Sequence, residues 1–133
     1  MDWKECLNKR IAKDVKTDIN RIKSIKKISN QIILSANLLS NQHYYAKISL
    51  LYEALRGYLE SIALKNGFKI YNHECYTSFL KEILNMPNKA ARFDKLRKIR
   101  NGINYYGKTF SLEEGEFIIE ELKVLIKIFK EVI

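Results

Sequence analysis

Breakers of regular structure are scarce in this chain. Its 133 residues include one proline and five glycines, so little interrupts a long helix. Cysteine and histidine occur only twice each, and no ligand-like cluster surrounds Cys6 or Cys75. That excludes a zinc framework or a disulfide scaffold. The two thiols read as inert small hydrophobes, with a reducing cytoplasm as the simplest setting. His43 and His73 read as capping and surface residues. No segment approaches the roughly 18 uncharged apolar residues of a membrane span; Ile32–Leu39 is broken by Ser35 and Asn37. The start, Met1-Asp-Trp-Lys-Glu5, lacks a signal-peptide pattern. Glycine-rich phosphate loops, paired carboxylates and Ser/His/Asp arrangements are also missing. No metal or cofactor is expected.

What is plentiful is positive charge, +9 in total. Nine cations crowd the first thirty residues, from Lys4 to Lys27, and seven more lie between Lys89 and Lys108. Clustered cations concentrate anions, which makes nucleic acid or nucleotide a reasonable partner class. The alternative is that these lysines simply keep helices in solution.

Hydrophobic spacing predicts an all-α, antiparallel bundle of four to five helices in one domain spanning 1–133. Val15, Ile19, Ile22, Ile25, Ile32, Ala36 and Leu39 recur at helical steps, predicting a long helix over about Asp14 to Leu39 after a short one near Trp3–Ala12. A second stripe, Ile48, Leu51, Tyr52, Leu55, Leu59 and Ile62, leads to an Asn66-Gly67 stop. A connector over Phe68–Asn72, a short helix over Glu74–Leu84 and a helix over Ala90–Tyr106 follow. Ser111-Leu-Glu-Glu114 is a capping box that opens the last helix. Nothing alternates with period two for long enough to predict a strand.

The helix ending at Tyr106 carries the chemistry. With Leu96 at the centre of its buried side and about 100° per residue, Arg100 falls near +40°, between Ile103 at about −20° and Phe93 at about +60°. A guanidinium in an apolar arc needs a partner, because an unpaired buried charge costs several kcal/mol. The candidates are a carboxylate across the core (Glu53 or Glu60), a second subunit, or a phosphate. Asn101 and Asn104 could orient Arg100 or contact a base or phosphate; equally, they could cap a fraying helix end. Tyr105 and Tyr106 offer faces for base stacking, although adjacent tyrosines more often pack half-buried. Gly102 and Gly57 suggest tight helix crossings.

Helix order and the segment Ile99-Arg-Asn-Gly-Ile-Asn-Tyr-Tyr-Gly107 resemble the HEPN domain family, over roughly residues 10 to 130. Leu51-Tyr-Glu-Ala-Leu-Arg-Gly-Tyr-Leu59 with Asn66-Gly-Phe-Lys69 resembles that family's second long helix. The resemblance implies a small helical bundle that pairs as a twofold dimer and brings two copies of an Arg-Asn…His motif into one cleft. It also implies either metal-independent ribonuclease activity, often of toxins paired with nucleotidyltransferase-like antitoxins, or non-catalytic binding of nucleotides or partners. Arg100 matches the motif arginine and Asn101 its polar neighbour. At the histidine position stand Tyr105, Tyr106 and Gly107, and no histidine follows His73. Tyrosine, with its pKa near 10, does not replace imidazole in proton transfer.

The expected function is therefore binding of RNA or a nucleotide, as a homodimer, at a basic cleft lined by Arg100, Asn101, Asn104, Tyr105 and Tyr106, with Lys95, Lys98 and Lys108 adding diffuse attraction. A degenerate ribonuclease resting on Arg100, and an interaction module for a nucleotidyltransferase-like partner, are the alternatives.

Overall fold

The computed structural model describes residues Met1–Ile133. Six helices and one small sheet make up the chain: α1 (Trp3–Asn8), β1 (Ala12–Asp14), α2 (Ile19–Asn37), α3 (Tyr44–Lys65), β2 (Phe68–Ile70), α4 (His73–Ser78), α5 (Pro87–Tyr106) and α6 (Leu112–Val132). A 3₁₀ turn, Asn41–His43, precedes α3, and one π-helical turn, Phe79–Ile83, continues α4. No helix is long and apolar enough to cross a membrane.

The centre of the molecule is α3. Its expected stripe is buried throughout, and from Gly57 to Leu64 every residue is buried, whichever way it points. A helix covered on all sides needs neighbours on all sides, and α3 packs against α2, α5, α6 and β2. At the crossing with α2, a Cβ on Gly57 would collide with Ser29 Oγ; the tight crossing expected at this glycine is present. Gly102 differs, since its open side is filled by the aliphatic chain of Lys108 at the end of its own helix.

The α2–α3 pair, joined by a short turn, packs antiparallel, with Arg21 near Glu60 at one end and Lys47 Nζ donating to the Leu39 carbonyl at the other. By contrast, α3 and α6 lie parallel: Gly115 abuts Tyr44 at their starts, and Lys65 Nζ donates to the Ile133 carbonyl at their ends.

Strand pairing departs from the sequence expectation. Residues 12–14, which span the end of the predicted short helix and the start of the predicted long one, instead pair antiparallel with 68–70, in the register Ala12↔Ile70, Lys13↔Lys69 and Asp14↔Phe68. Accordingly α2 starts only at Ile19, where Asp18 caps it by accepting from the Arg21 amide. Three-residue strands are too short for a period-two pattern to register.

The cysteines correct a second expectation. Cys6 and Cys75, both fully buried, form a disulfide that ties α1 to α4. Trp3 closes over the same region, edge-on to Phe68 at 5.1 Å and tilted against Phe79 at 5.6 Å. A sequence separation of 69 residues concealed the pairing.

Helix ends follow their local chemistry. Pro87 occupies the first turn of α5, where its missing amide proton costs nothing. Gly107 ends α5 at φ +61°, a conformation that penalises any Cβ. The Ser111–Glu114 capping box forms in both directions.

Candidate anion-binding cleft

Two walls meet beside the C-terminal half of α5. Arg97, Arg100, Asn101 and Tyr105 line one, and Tyr71, Asn72, His73 and Glu74, at the β2–α4 junction, line the other. The space between them measures about 310 Å³. Tyr52 of α3 lies beneath, its ring stacked on Phe93 at 6.0 Å.

Arg100 is half-buried, with its guanidinium carbon 5.3 Å from the Tyr52 ring centroid and 5.7 Å from that of Tyr105. Cation–π contact of this kind holds a guanidinium flat without neutralising it. Its one hydrogen bond to a side chain is a long donation, 3.4 Å, to Asn101 Oδ1. Neither carboxylate proposed across the core reaches it. Glu53 accepts from Arg56 at 2.6 Å, and Glu60 from Arg56 at 3.0 Å and Lys69 at 2.5 Å.

Three other arginines are half-buried, and each holds an acid: Arg56 with Glu53 and Glu60, Arg92 with Glu121, Arg97 with Asp94. Arg100 has no carboxylate within salt-bridge distance.

His73 enters the cleft from the opposite wall. Its Nδ1 shares a 2.7 Å hydrogen bond with the Tyr52 hydroxyl, and its ring stacks on Tyr52 at 5.6 Å. Burial, reinforced by Arg100, Arg56 and Arg97 against the opposing pull of Glu53, lowers its pKa to about 4. At neutral pH the imidazole is uncharged, and Nε2 carries no protein partner. Burial pushes the Tyr52 phenol well above its ordinary value, with Arg100 opposing, so its proton stays on oxygen. The hydrogen bond from Arg56 holds the Glu53 carboxyl below its usual range.

The cleft gathers some of the sequence-predicted residues and leaves others outside. Arg100, Asn101 and Tyr105 line it, whereas Asn104 and Tyr106 do not. The two tyrosines are 68% and 78% exposed, rather than half-buried in packing. Tyr44 and Tyr45 are the tyrosine pair that packs: Tyr44 donates to the Phe110 carbonyl at 2.6 Å, and Tyr45 accepts from the Phe110 amide at 2.7 Å. Among the lysines, Lys98 pairs with Asp94, Lys108 folds over Gly102, and Lys95 lines a different groove.

Sequence reasoning missed His73, Tyr52 and Arg97. The available signal was Tyr52, a phenol in the middle of a core stripe, since a buried hydroxyl must find a partner.

A second, mostly apolar groove of about 560 Å³ runs between α5 and α6, lined by Leu96, Ile99, Phe110, Phe117 and Ile118. Its rim is basic along α5 (Arg92, Lys95) and acidic along α6 (Glu113, Glu114, Glu121).

No family model matches this chain, and neither the curated proteins nor the solved structures contain a significant match to it.

Proposed function

We propose that this is a HEPN-like domain that binds RNA or a nucleotide, with Arg100 receiving a phosphate in the cleft between α4 and α5. The observation that carries this reading is the contrast among the half-buried arginines: three hold carboxylates and Arg100 holds none. Aromatic faces and an amide keep the guanidinium in place with its charge available. A phosphate supplies the two-oxygen acceptor that its planar fork matches.

The test is fluorescence anisotropy with a labelled RNA over a salt series. Arg100→Ala is expected to lose about tenfold or more in affinity, and Lys98→Ala under about twofold. Binding weakens as salt rises. Equal loss from both substitutions removes the special role of Arg100.

A second reading, metal-independent RNA cleavage, is favoured by one observation: a neutral His73 shares the cleft with Arg100. Its test is incubation of purified protein with RNA in chelator. Cleavage that survives both Arg100→Ala and His73→Gln overturns this reading.

An apolar lining supports a twofold mate at the α5–α6 groove: Arg92 and Glu121 already pair within one chain, and rotation by 180° about an axis along the groove sets Lys95 of one copy over the acidic α6 edge of the other. Phe117, prominently exposed at that rim, would be the central contact. Sedimentation tests this directly, with Phe117→Glu expected to convert dimer to monomer. A nucleotide ligand suits a cytoplasmic protein, whereas the Cys6–Cys75 bridge is of a kind that persists in oxidising compartments; thiol labelling in cell extracts distinguishes the two.

A further inference from the structure

We infer that the cleft holds an unpaired nucleobase between Tyr71 and Tyr105, so that the ligand is a single nucleotide or a single-stranded segment and not a duplex. This inference rests on the phosphate reading of Arg100 and specifies what accompanies the phosphate.

The two tyrosines differ from the packed ones. Tyr44, Tyr45, Tyr52 and Tyr58 engage their hydroxyls in hydrogen bonds to protein atoms, and Tyr76 is fully buried. Tyr71 and Tyr105 engage neither hydroxyl and are 56% and 68% exposed. One comes from each wall of the same cleft. Exposed aromatic rings on both sides of a slot suit a flat, apolar-faced guest, and every base has such a face.

Cations lie next to both rings. Lys13 and Lys69, cross-strand partners in the sheet, stand 5.4 and 5.8 Å from the Tyr71 centroid, and Arg100 lies 5.7 Å from that of Tyr105. Lys69 is already paired with Glu60, but Lys13 and Arg100 hold no carboxylate, so a base stacked on the opposite face of either ring has a cation close by for its phosphate.

The polar lining consists chiefly of donors. The Asn72 carbonyl oxygen is occupied in capping α4, accepting from the Glu74 and Cys75 amides, which leaves its NH₂ free. Asn101 likewise accepts from Arg100 through its oxygen. Asp94 neutralises Arg97, whose remaining N–H groups still donate. The one acid in the lining, Glu74, is paired with the Met1 amino group at 3.3 Å. A lining richer in free donors than in free acceptors favours a guest rich in acceptor atoms, such as a base edge with its phosphate. A volume of about 310 Å³ lies at the small end for ligand pockets and suits one base with its phosphate.

The experiment is a competition measured by fluorescence anisotropy with four probes: an RNA hexamer, an abasic ribose-phosphate chain of equal length, a hexamer duplex, and adenosine monophosphate. The hexamer is expected to bind about tenfold or more tighter than the abasic chain. Tyr71→Leu and Tyr105→Leu should each weaken hexamer binding about tenfold and leave the abasic chain unchanged. Both positions are exposed, so the variants are expected to melt with the parent protein. Displacement by the mononucleotide identifies a free nucleotide as the guest; displacement by the hexamer alone identifies a single strand.

Abasic and hexamer probes of equal affinity, both sensitive to Arg100→Ala, would overturn the base slot while leaving the phosphate site standing. A duplex that binds as tightly as the hexamer would also overturn it. Hexamer binding indifferent to Arg100→Ala would remove the phosphate reading and this inference together.

Discussion

Arg56 and Arg100 are two half-buried guanidinium groups in the same molecule, and their surroundings differ. Arg56 sits on α3 between carboxylates three residues before it and four after it, at 2.6 and 3.0 Å. Lys69 and Arg21 complete that network on Glu60. Arg100, on α5, has a ring on either side and an amide at 3.4 Å. The first region resolves its electrostatics internally. The second keeps an unneutralised cation, next to a histidine that burial, reinforced by its field, holds neutral. A folding requirement accounts for Arg56; it does not account for Arg100.

The largest expected effect breaks the first side of this contrast. Arg56→Ala leaves Glu53 without its partner and Glu60 with Lys69 and the distant Arg21, and should cost about 3 kcal/mol in a urea titration. Arg100→Ala should stay within about 0.5 kcal/mol of the parent, because no internal acid depends on it. A comparable loss from both would mean that Arg100 is a structural residue.

A smaller change makes the second region resemble the first. Asn101→Asp places a carboxylate beside Arg100 and should reduce RNA affinity about tenfold, with stability unchanged or slightly improved. Unaltered affinity would show that the charge on Arg100 is not what the ligand reads.

His73 reports on both arginines. Its folded pKa, about 4, lies below the ordinary 6.5, so the unfolded chain takes up a proton first. This contribution to stability is complete above about pH 6.5 and is lost as pH falls toward 4. Glu53 and Glu60, whose pKa values are lowered, lose their contributions further down, below the ordinary carboxylate range. Thermal melts should therefore decline in two stages, and His73→Gln should abolish the upper one. In NMR titrations, Arg100→Ala should raise the His73 pKa, as should bound phosphate. The smallest effect is expected at Lys98, exposed and already paired with Asp94, where alanine should change affinity under twofold in the same anisotropy assay.

Much of the helical frame could be read from the chain. The α3 stripe, the Ser111 capping box and the Gly107 stop are local signals, each encoded within a few residues. Arg100 was legible because a cation in an apolar arc contradicts its surroundings. The remainder depends on distant encounters. Strands of three residues carry no periodicity, and the cysteine pair has no local mark. His73 stands at the start of a short helix, where its sequence context suggests only capping. Its proximity to Arg100 exists because Tyr52, in the middle of α3, touches both.

The bridge between Cys6 and Cys75 has a mechanical consequence. It closes a covalent ring through α1, α2, α3 and the start of α4, and that ring includes Tyr71 and His73. The segment carrying Arg97, Arg100 and Tyr105 lies outside the ring and is held by packing and non-covalent bonds, among them Thr77 Oγ1 to Asp94 and Arg92 to Glu121. One jaw of the cleft thus belongs to a covalent loop and the other does not, so α5 is the side whose displacement the bridge leaves unrestrained.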